Sequence, residues 1–182
     1  AGAKVKAAGD LLTKVNKVHL DTVSTTDKSV VDDKLRFFGG ADEGLNDLTD
    51  QTLHGSSLTA GKQVVLDSKK GVTVRGSAVK GGTEGALVNA GAGKANITHV
   101  NATDLLVNRK RIGTIFNITK KLEASQSSEQ TAVGATLNSD ADLIVKSESE
   151  INVLGSQILA ARDIELKPVS YTHLRAHETS LH

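Results

Sequence analysis

Arg109, Lys110, Arg111, Lys120 and Lys121 form the one dense basic cluster of the chain, and such cations could meet sulfated glycans or anionic lipid headgroups on a cell surface. The competing reading is a solvated hairpin tip whose charges keep a strand edge from pairing. His173 and His177 stand four residues apart beside Glu178, a spacing that on a helix would resemble a zinc pair. Gly91-Ala-Gly93-Lys94 hints at a phosphate loop. That motif, however, needs Gly where Val88 stands and Ser or Thr where Ala95 stands, so turn glycines fit better. Asp140 and Asp142 read as turn residues, and His19, His54 and His99 are scattered singles. No carboxylate pair, Ser/His/Asp set or Asp-rich metal loop has supporting spacing. The expectation is therefore a protein that is not an enzyme, with no catalytic, cofactor or metal residue.

The composition excludes several other classes. Net charge is +1 over 182 residues and aromatics are limited to Phe37, Phe38, Phe116 and Tyr171. There is neither a broad basic field nor a stacking platform for nucleic acid. Apolar content is carried by Val, Leu, Ile and Ala, which suit a narrow layered core better than a globular one anchored by rings. Cysteine is absent, which excludes disulfides and thiolate metal sites. No apolar run approaches the ~20 residues of a membrane span, and the first residues do not read as a signal peptide. The chain has no methionine, even at position 1, and reads as a piece of something longer.

The elements that would position these residues are set by an internal echo. Leu58, Val64, Leu66, Val72, Val74 and Val79 recur as Leu137, Leu143, Val145, Ile151, Val153 and Ile158, each offset by 79 positions. Gly55 and Gly76 are 21 residues apart, as are Gly134 and Gly155. Short alternating apolar runs between glycines at such a period mark a solenoid. A coil of about 21 residues would hold two or three short strands, each stacking on its equivalent in the next coil at ~4.8 Å. In Val64-Val65-Leu66 and Val72-Thr73-Val74 the outer residues should point inward. Residues 8–23 read as two short strands around a turn. Residues 24–53 read as a polar excursion. Residues 83–130 break the period, with a hairpin turning near Arg109 to Gly113, and Thr131 restores it.

Several motifs carry a family resemblance. Gly55-Ser-Ser-Leu-Thr-Ala-Gly61, Val72-Thr-Val-Arg-Gly-Ser77, Thr131-Ala-Val-Gly-Ala-Thr-Leu137 and Val18-His-Leu-Asp-Thr-Val23 resemble the haemagglutinin repeats of filamentous haemagglutinin-like exoproteins. Their order over roughly residues 5–167 is similar to a repeat region of contact-dependent inhibition and other two-partner secretion proteins. The second copy departs from that pattern at Ser147-Glu148-Ser149, where a Gly-containing turn is common. The resemblance implies a right-handed parallel β-helix with protruding hairpins, exported through an outer-membrane β-barrel transporter and displayed on a Gram-negative cell surface. It implies an adhesive segment that contacts a receptor or glycan on a target or host cell, and in that setting the basic cluster is the candidate contact. The alternative is the stalk of a contact-dependent toxin. A polysaccharide-active β-helix enzyme is a further alternative, but no outward stack of catalytic carboxylates is evident. The Asn-X-Thr triplets at Asn96, Asn101 and Asn117 carry no weight in a bacterial exoprotein.

The last residues stand apart. Pro168-Val-Ser-Tyr-Thr-His-Leu-Arg-Ala-His-Glu-Thr179 resembles a translated sequencing adapter, so residues 168–182 are set aside as a non-biological tail, and the His173/His177 pair with them. The domain reading is then a β-helix over residues 1–167 with excursions at 24–53 and 83–130.

Overall fold

In the computed structural model the backbone is described for residues 2–37, 40–113, 120–169 and 172–175, and side chains for 2–31, 45–109 and 123–169. The first coil consists of β1 (Lys4–Ala7), β2 (Leu11–Val15) and β3 (Val18–Leu20). Two long strands follow, β4 (Thr22–Phe37) and β5 (Gly40–Gly55). The second coil is β6 (Ser57–Ala60), β7 (Gln63–Ser68) and β8 (Val72–Arg75), and the third is β9 (Ala78–Gly81), β10 (Gly85–Asn89) and β11 (Ala95–Thr98). A second pair of long strands, β12 (Val100–Gly113) and β13 (Lys120–Val133), precedes the fourth coil, β14 (Thr136–Ser139), β15 (Leu143–Ser147) and β16 (Ile151–Leu154). The fifth coil is β17 (Gln157–Ala160), β18 (Ile164–Pro168) and β19 (Thr172–Arg175).

Each coil gives one strand to each of three five-stranded sheets, in the orders β1-β6-β9-β14-β17 (sheet A), β2-β7-β10-β15-β18 (sheet B) and β3-β8-β11-β16-β19 (sheet C). The pairings in these sheets are parallel. The chain is thus an all-β protein with a β-helix solenoid. Because side chains alternate along a strand, alternate residues of every coil form columns inside the stack. One column of sheet A runs Leu58, Val79, Leu137, Ile158. In sheet B, Leu66, Val88 and Val145 are adjacent and fully buried, and in sheet C so are Val74 and Ile97. Each such burial contributes about 1.5–3 kcal/mol, and a coil has too few of them to offset its own ordering entropy, so stability comes from the stack.

The period does not break at residue 83. The small-residue segment is a coil: Ala86 lies beside Val64, Ala95 beside Val72 and Ile97 beside Val74. The 79-residue echo therefore spans two steps of the stack, with this coil between its copies. Alanines at Ala86, Ala90 and Ala95 are buried but carry too little apolar signal to declare a strand from sequence. The segment 168–182, set aside in the sequence as foreign, contributes the strand Thr172–Arg175, which pairs with Ile151–Leu154.

Corners are held by serines and glycines. Ser77 Oγ accepts from Ser56 N–H (3.2 Å) and donates to Arg75 O (3.0 Å). Ser156 Oγ repeats both bonds, to Ala135 N–H (3.1 Å) and Leu154 O (3.0 Å). At Ser147-Glu148-Ser149, where the family pattern favours glycine, the buried Ser147 donates to Gly93 O (2.9 Å) and accepts from Ser149 N–H (3.0 Å). A hydroxyl thus satisfies buried backbone groups that would otherwise cost free energy.

The long strands form a second compact unit, residues 24–52 and 101–131, with strand order β13-β12-β5-β4. Both excursions branch from the connection between a sheet C strand and the next sheet A strand, after the first and third coils. The central pair, β5 and β12, is antiparallel. The second excursion begins at Asn101 rather than at residue 83.

Candidate functional site

The expected turn at Arg109 to Gly113 is instead part of β12, which continues to Gly113. Arg109 pairs with Leu45, Lys110 with Gly44 and Arg111 with Glu43. The ladder continues because β5 supplies a long partner strand, a long-range match that the local charge run does not reveal. Arg109 is exposed. The side chains of Lys110, Arg111, Lys120 and Lys121 lie outside the described residues, and Lys120 and Lys121 open β13, the neighbour of β12 in the sheet. Topology thus brings the five basic positions onto two adjacent strands, while the register sets Glu43 and Asp42 opposite Arg111 and Ile112.

Elsewhere in this sheet a carboxylate pair appears that spacing along the chain did not reveal. Gln51 N–H donates to Asp104 Oδ1 (2.9 Å), and Gln51 Oε1 accepts from Thr103 N–H (3.0 Å), which ties β5 to β12. Asp50 lies one step beyond the Thr49–Leu105 pair, beside Asp104. The Asp104 charge pushes the Asp50 carboxyl above its ordinary range, with further contributions from desolvation, the hydrogen bond with Asp104 and the charge of Asp27. Like charges opposed across a ladder destabilise a sheet. These carboxylates, with Leu48, Leu105, Leu106, Ser127 and Glu129, line a surface hollow of about 330 Å³.

The pH dependence follows from the direction of the shift. Folded Asp50 holds its proton to a higher pH than the unfolded chain does, so its contribution is fully present below the unfolded carboxylate value and lost as pH rises through the folded one. Asp50→Asn is expected to increase amide protection in β5 and β12 at neutral pH, and to match wild type once both are acidified below the carboxylate range. Hydrogen exchange reads this directly, and unchanged protection at neutral pH contradicts it.

In the solenoid, Asp21 follows β3. Burial opposes its ionisation, but the hydrogen bond from Thr22 N–H (2.8 Å), the Arg75 guanidinium (2.9 Å) and His19 outweigh it and hold the carboxyl below its ordinary value. This cluster secures the corner from which β4 leaves: Ser56 Oγ also donates to Asp21 O (2.8 Å). The Gly91–Lys94 segment is likewise a corner. The N–H groups of Gly91, Ala92 and Gly93 bond to Asn89 Oδ1, Lys69 O and Ala90 O, and Lys94 pairs with Glu150 (2.7 Å). Those donors are engaged within the solenoid, Ala92 N–H on the preceding coil, rather than turned toward a phosphate.

Adjacent coils do stack two carboxylates, Asp142 and Asp163, beside Glu165 in a hollow of about 410 Å³. Asp142 is held by Arg162 Nε and Asp163 N–H, both at 3.3 Å, and Glu165 by Lys167 (2.7 Å). Asp142 and Glu165 are thus ion-paired surface groups. Among the described residues no group of three His, Cys, Asp or Glu is placed to hold a metal ion, and no helix is long and apolar enough to cross a membrane.

The described residues thus form a β-helix and a second sheet built from the two excursions. Comparison with known proteins narrows the class. The hemagglutinin repeat family matches residues 116–180, from the second excursion through the fifth coil. A hemolysin of Proteus mirabilis is 34% identical over 164 residues, covering 88% of this chain and 10% of that protein. A hemolysin of Serratia marcescens is 32% identical over 170 residues, covering 91% of this chain and 10% of its own length. The chain thus spans about a tenth of the length of these curated relatives. No solved structure matches it. At the level of family, the chain is similar to hemagglutinin-repeat and hemolysin-type proteins.

Proposed function

We propose that this chain is a structural and adhesive segment of a larger secreted exoprotein, displayed on a Gram-negative cell surface and delivered there through an outer-membrane β-barrel transporter. The observation that carries the reading is the division of labour in the fold. A stacked core of aliphatic columns makes a scaffold, and two excursions inserted at equivalent corners build a sheet of their own. Similarity to hemagglutinin repeats supports it. The cysteine-free composition suits a chain that threads a pore unfolded. Within this reading the contact surface includes Arg109, Lys110, Arg111, Lys120 and Lys121, and its ligand is a sulfated glycan or an anionic headgroup on the contacted cell.

Near an anionic surface a basic side chain contributes about 1 kcal/mol, so replacing Arg109, Lys110 and Arg111 with Gln is expected to lower retention on heparin or on cells on the order of 100-fold. Unchanged retention would leave the cluster as solvated strand charge. The hemolysin names of the relatives favour a second reading, in which the segment is the stalk of a toxin whose activity resides elsewhere in the full protein. Appending the missing regions then confers lysis, whereas the isolated segment binds cells without lysing them.

A further inference from the structure

The outer face of sheet B carries three columns of different chemistry. Its centre is apolar: Leu12, Val65, Leu87 and Ile144 stack in register over four coils, with Glu165 on the fifth. Leu12 is 69% exposed, and the other three are half-buried. Two residues toward the strand ends, the outward column reads Lys14, Asp67, Asn89, Lys146, Lys167. Two residues toward the strand starts stand Asp10, Asp142 and Asp163, each immediately preceding its strand. Asp142 and Asp163 share the surface hollow with Ile144 and Glu165, which places them beside the apolar column. Neither excursion branches from a strand of this sheet.

Apart from Asp67 on the second coil and Glu165 in the central column, the acids and bases of the two flanking columns fall on the same coils, the first, fourth and fifth. This makes the face self-complementary in one orientation. A two-fold axis parallel to the solenoid axis would lay the apolar column on its own copy over four coils, bring Glu165 against its own copy on the fifth, and set the acidic column of each molecule against the basic column of the other. Asp10 would then meet Lys14, Asp142 would meet Lys146 and Asp163 would meet Lys167 of the second copy. A two-fold axis across the solenoid would instead oppose acid to acid and base to base. An isologous contact requires this kind of self-complementarity, and complementary charge selects register and orientation.

We infer that the outer face of sheet B is a lateral docking surface for a second copy of this chain, with the two solenoids side by side and parallel. Five strands ~4.8 Å apart and five residues at ~3.3 Å give about 400 Å² per copy, about 800 Å² in total. That is below the ~1,200 Å² of the smaller stable interfaces, so the association is weak and reversible at this length. The surface ion pair Arg162–Asp142 exchanges at little cost, because exposed pairs are worth little; Lys167 also neutralises Glu165, which faces its own copy, so the fifth coil contributes least to the contact.

Sedimentation velocity on the 182-residue chain tests this with two variants. One replaces Asp10, Asp142 and Asp163 with Lys; the other replaces Lys14, Lys146 and Lys167 with Glu. Circular dichroism confirms that each retains its sheet content. Wild type is expected to associate reversibly at low salt, and each variant alone is expected to weaken self-association at least ~10-fold. An equimolar mixture of the two is expected to restore it, since both columns are again matched. A wild type that stays monomeric at every concentration overturns the proposal, as does a mixture that fails to restore association. Association unaffected by either charge set places the contact at the open strand edges of the end coils, and overturns it equally.

Discussion

Val145→Asp is expected to abolish the cooperative thermal transition of the solenoid, or to lower its midpoint far below that of wild type. Val145 is fully buried and lies between Val88 and Leu166 in sheet B. A carboxylate there meets only aliphatic neighbours in its column. An unpaired buried charge costs several kcal/mol even after relaxation, comparable with the ~5–15 kcal/mol that holds a domain folded. The loss also spreads, because each coil is stabilised mainly by its neighbours. The control is one residue away: Ile144 is on the outer face of the same strand beside Glu165, and Ile144→Asn, which adds no like charge there, is expected to melt far closer to wild type than Val145→Asp. Equal melting of both variants would sink the inward assignment of Val145.

Gly55→Ala and Gly134→Ala are each expected to destabilise the fold by about 1–3 kcal/mol, the usual cost of forcing atoms into a packed site. A methyl at Gly55 would come within 2.3 Å of Gly76 O, and at Gly134 within 2.5 Å of Gly155 O. The obstacle is backbone in both cases and cannot rotate away. Gly76 and Gly155 themselves sit at φ 53° and 55°, a left-handed corner that favours glycine. This explains the 21-residue glycine spacing: one member turns the chain, and the other makes room for its carbonyl on the neighbouring coil. Gly9→Ala, where an added methyl meets nothing within 4 Å, is the control. Denaturant midpoints for the three variants decide the matter, and equal values would contradict the close-approach account.

These two sites also show what was legible in the sequence. Period-two alternation correctly placed Val64, Leu66, Val72 and Val74 inside, because burial on one face of a strand constrains every second residue. Residues 85–98 escaped notice because Ala and Gly fill a coil as well as Val does when neighbours above and below are larger, yet they leave little periodic signal. The strand Lys4–Ala7 was also missed: it pairs on one side only and its pattern is largely exposed. For the candidate site, composition identified the basic run but not its setting. The setting depends on β5, more than 60 positions upstream of Arg109, and pairing at that separation is a property of register. Asp50 and Asp104 were invisible for the same reason. Likewise, the columns of sheet B become a surface only when one strand from each of five coils, separated in sequence by two excursions, is threaded into a single stack.

The central claim is that residues 85–98 form a coil between the two copies of the 79-residue echo, making one continuous scaffold. Backbone nuclear Overhauser contacts in the isotope-labelled chain test it most directly. The expected result is that Val88 shows inter-strand contacts to Leu66 on one side and Val145 on the other, as the parallel register requires, with no direct contact between Leu66 and Val145 backbones, which stand two steps or about 9.6 Å apart. Direct Leu66–Val145 backbone contacts, with none to Val88, would contradict the account and place residues 85–98 outside the stack.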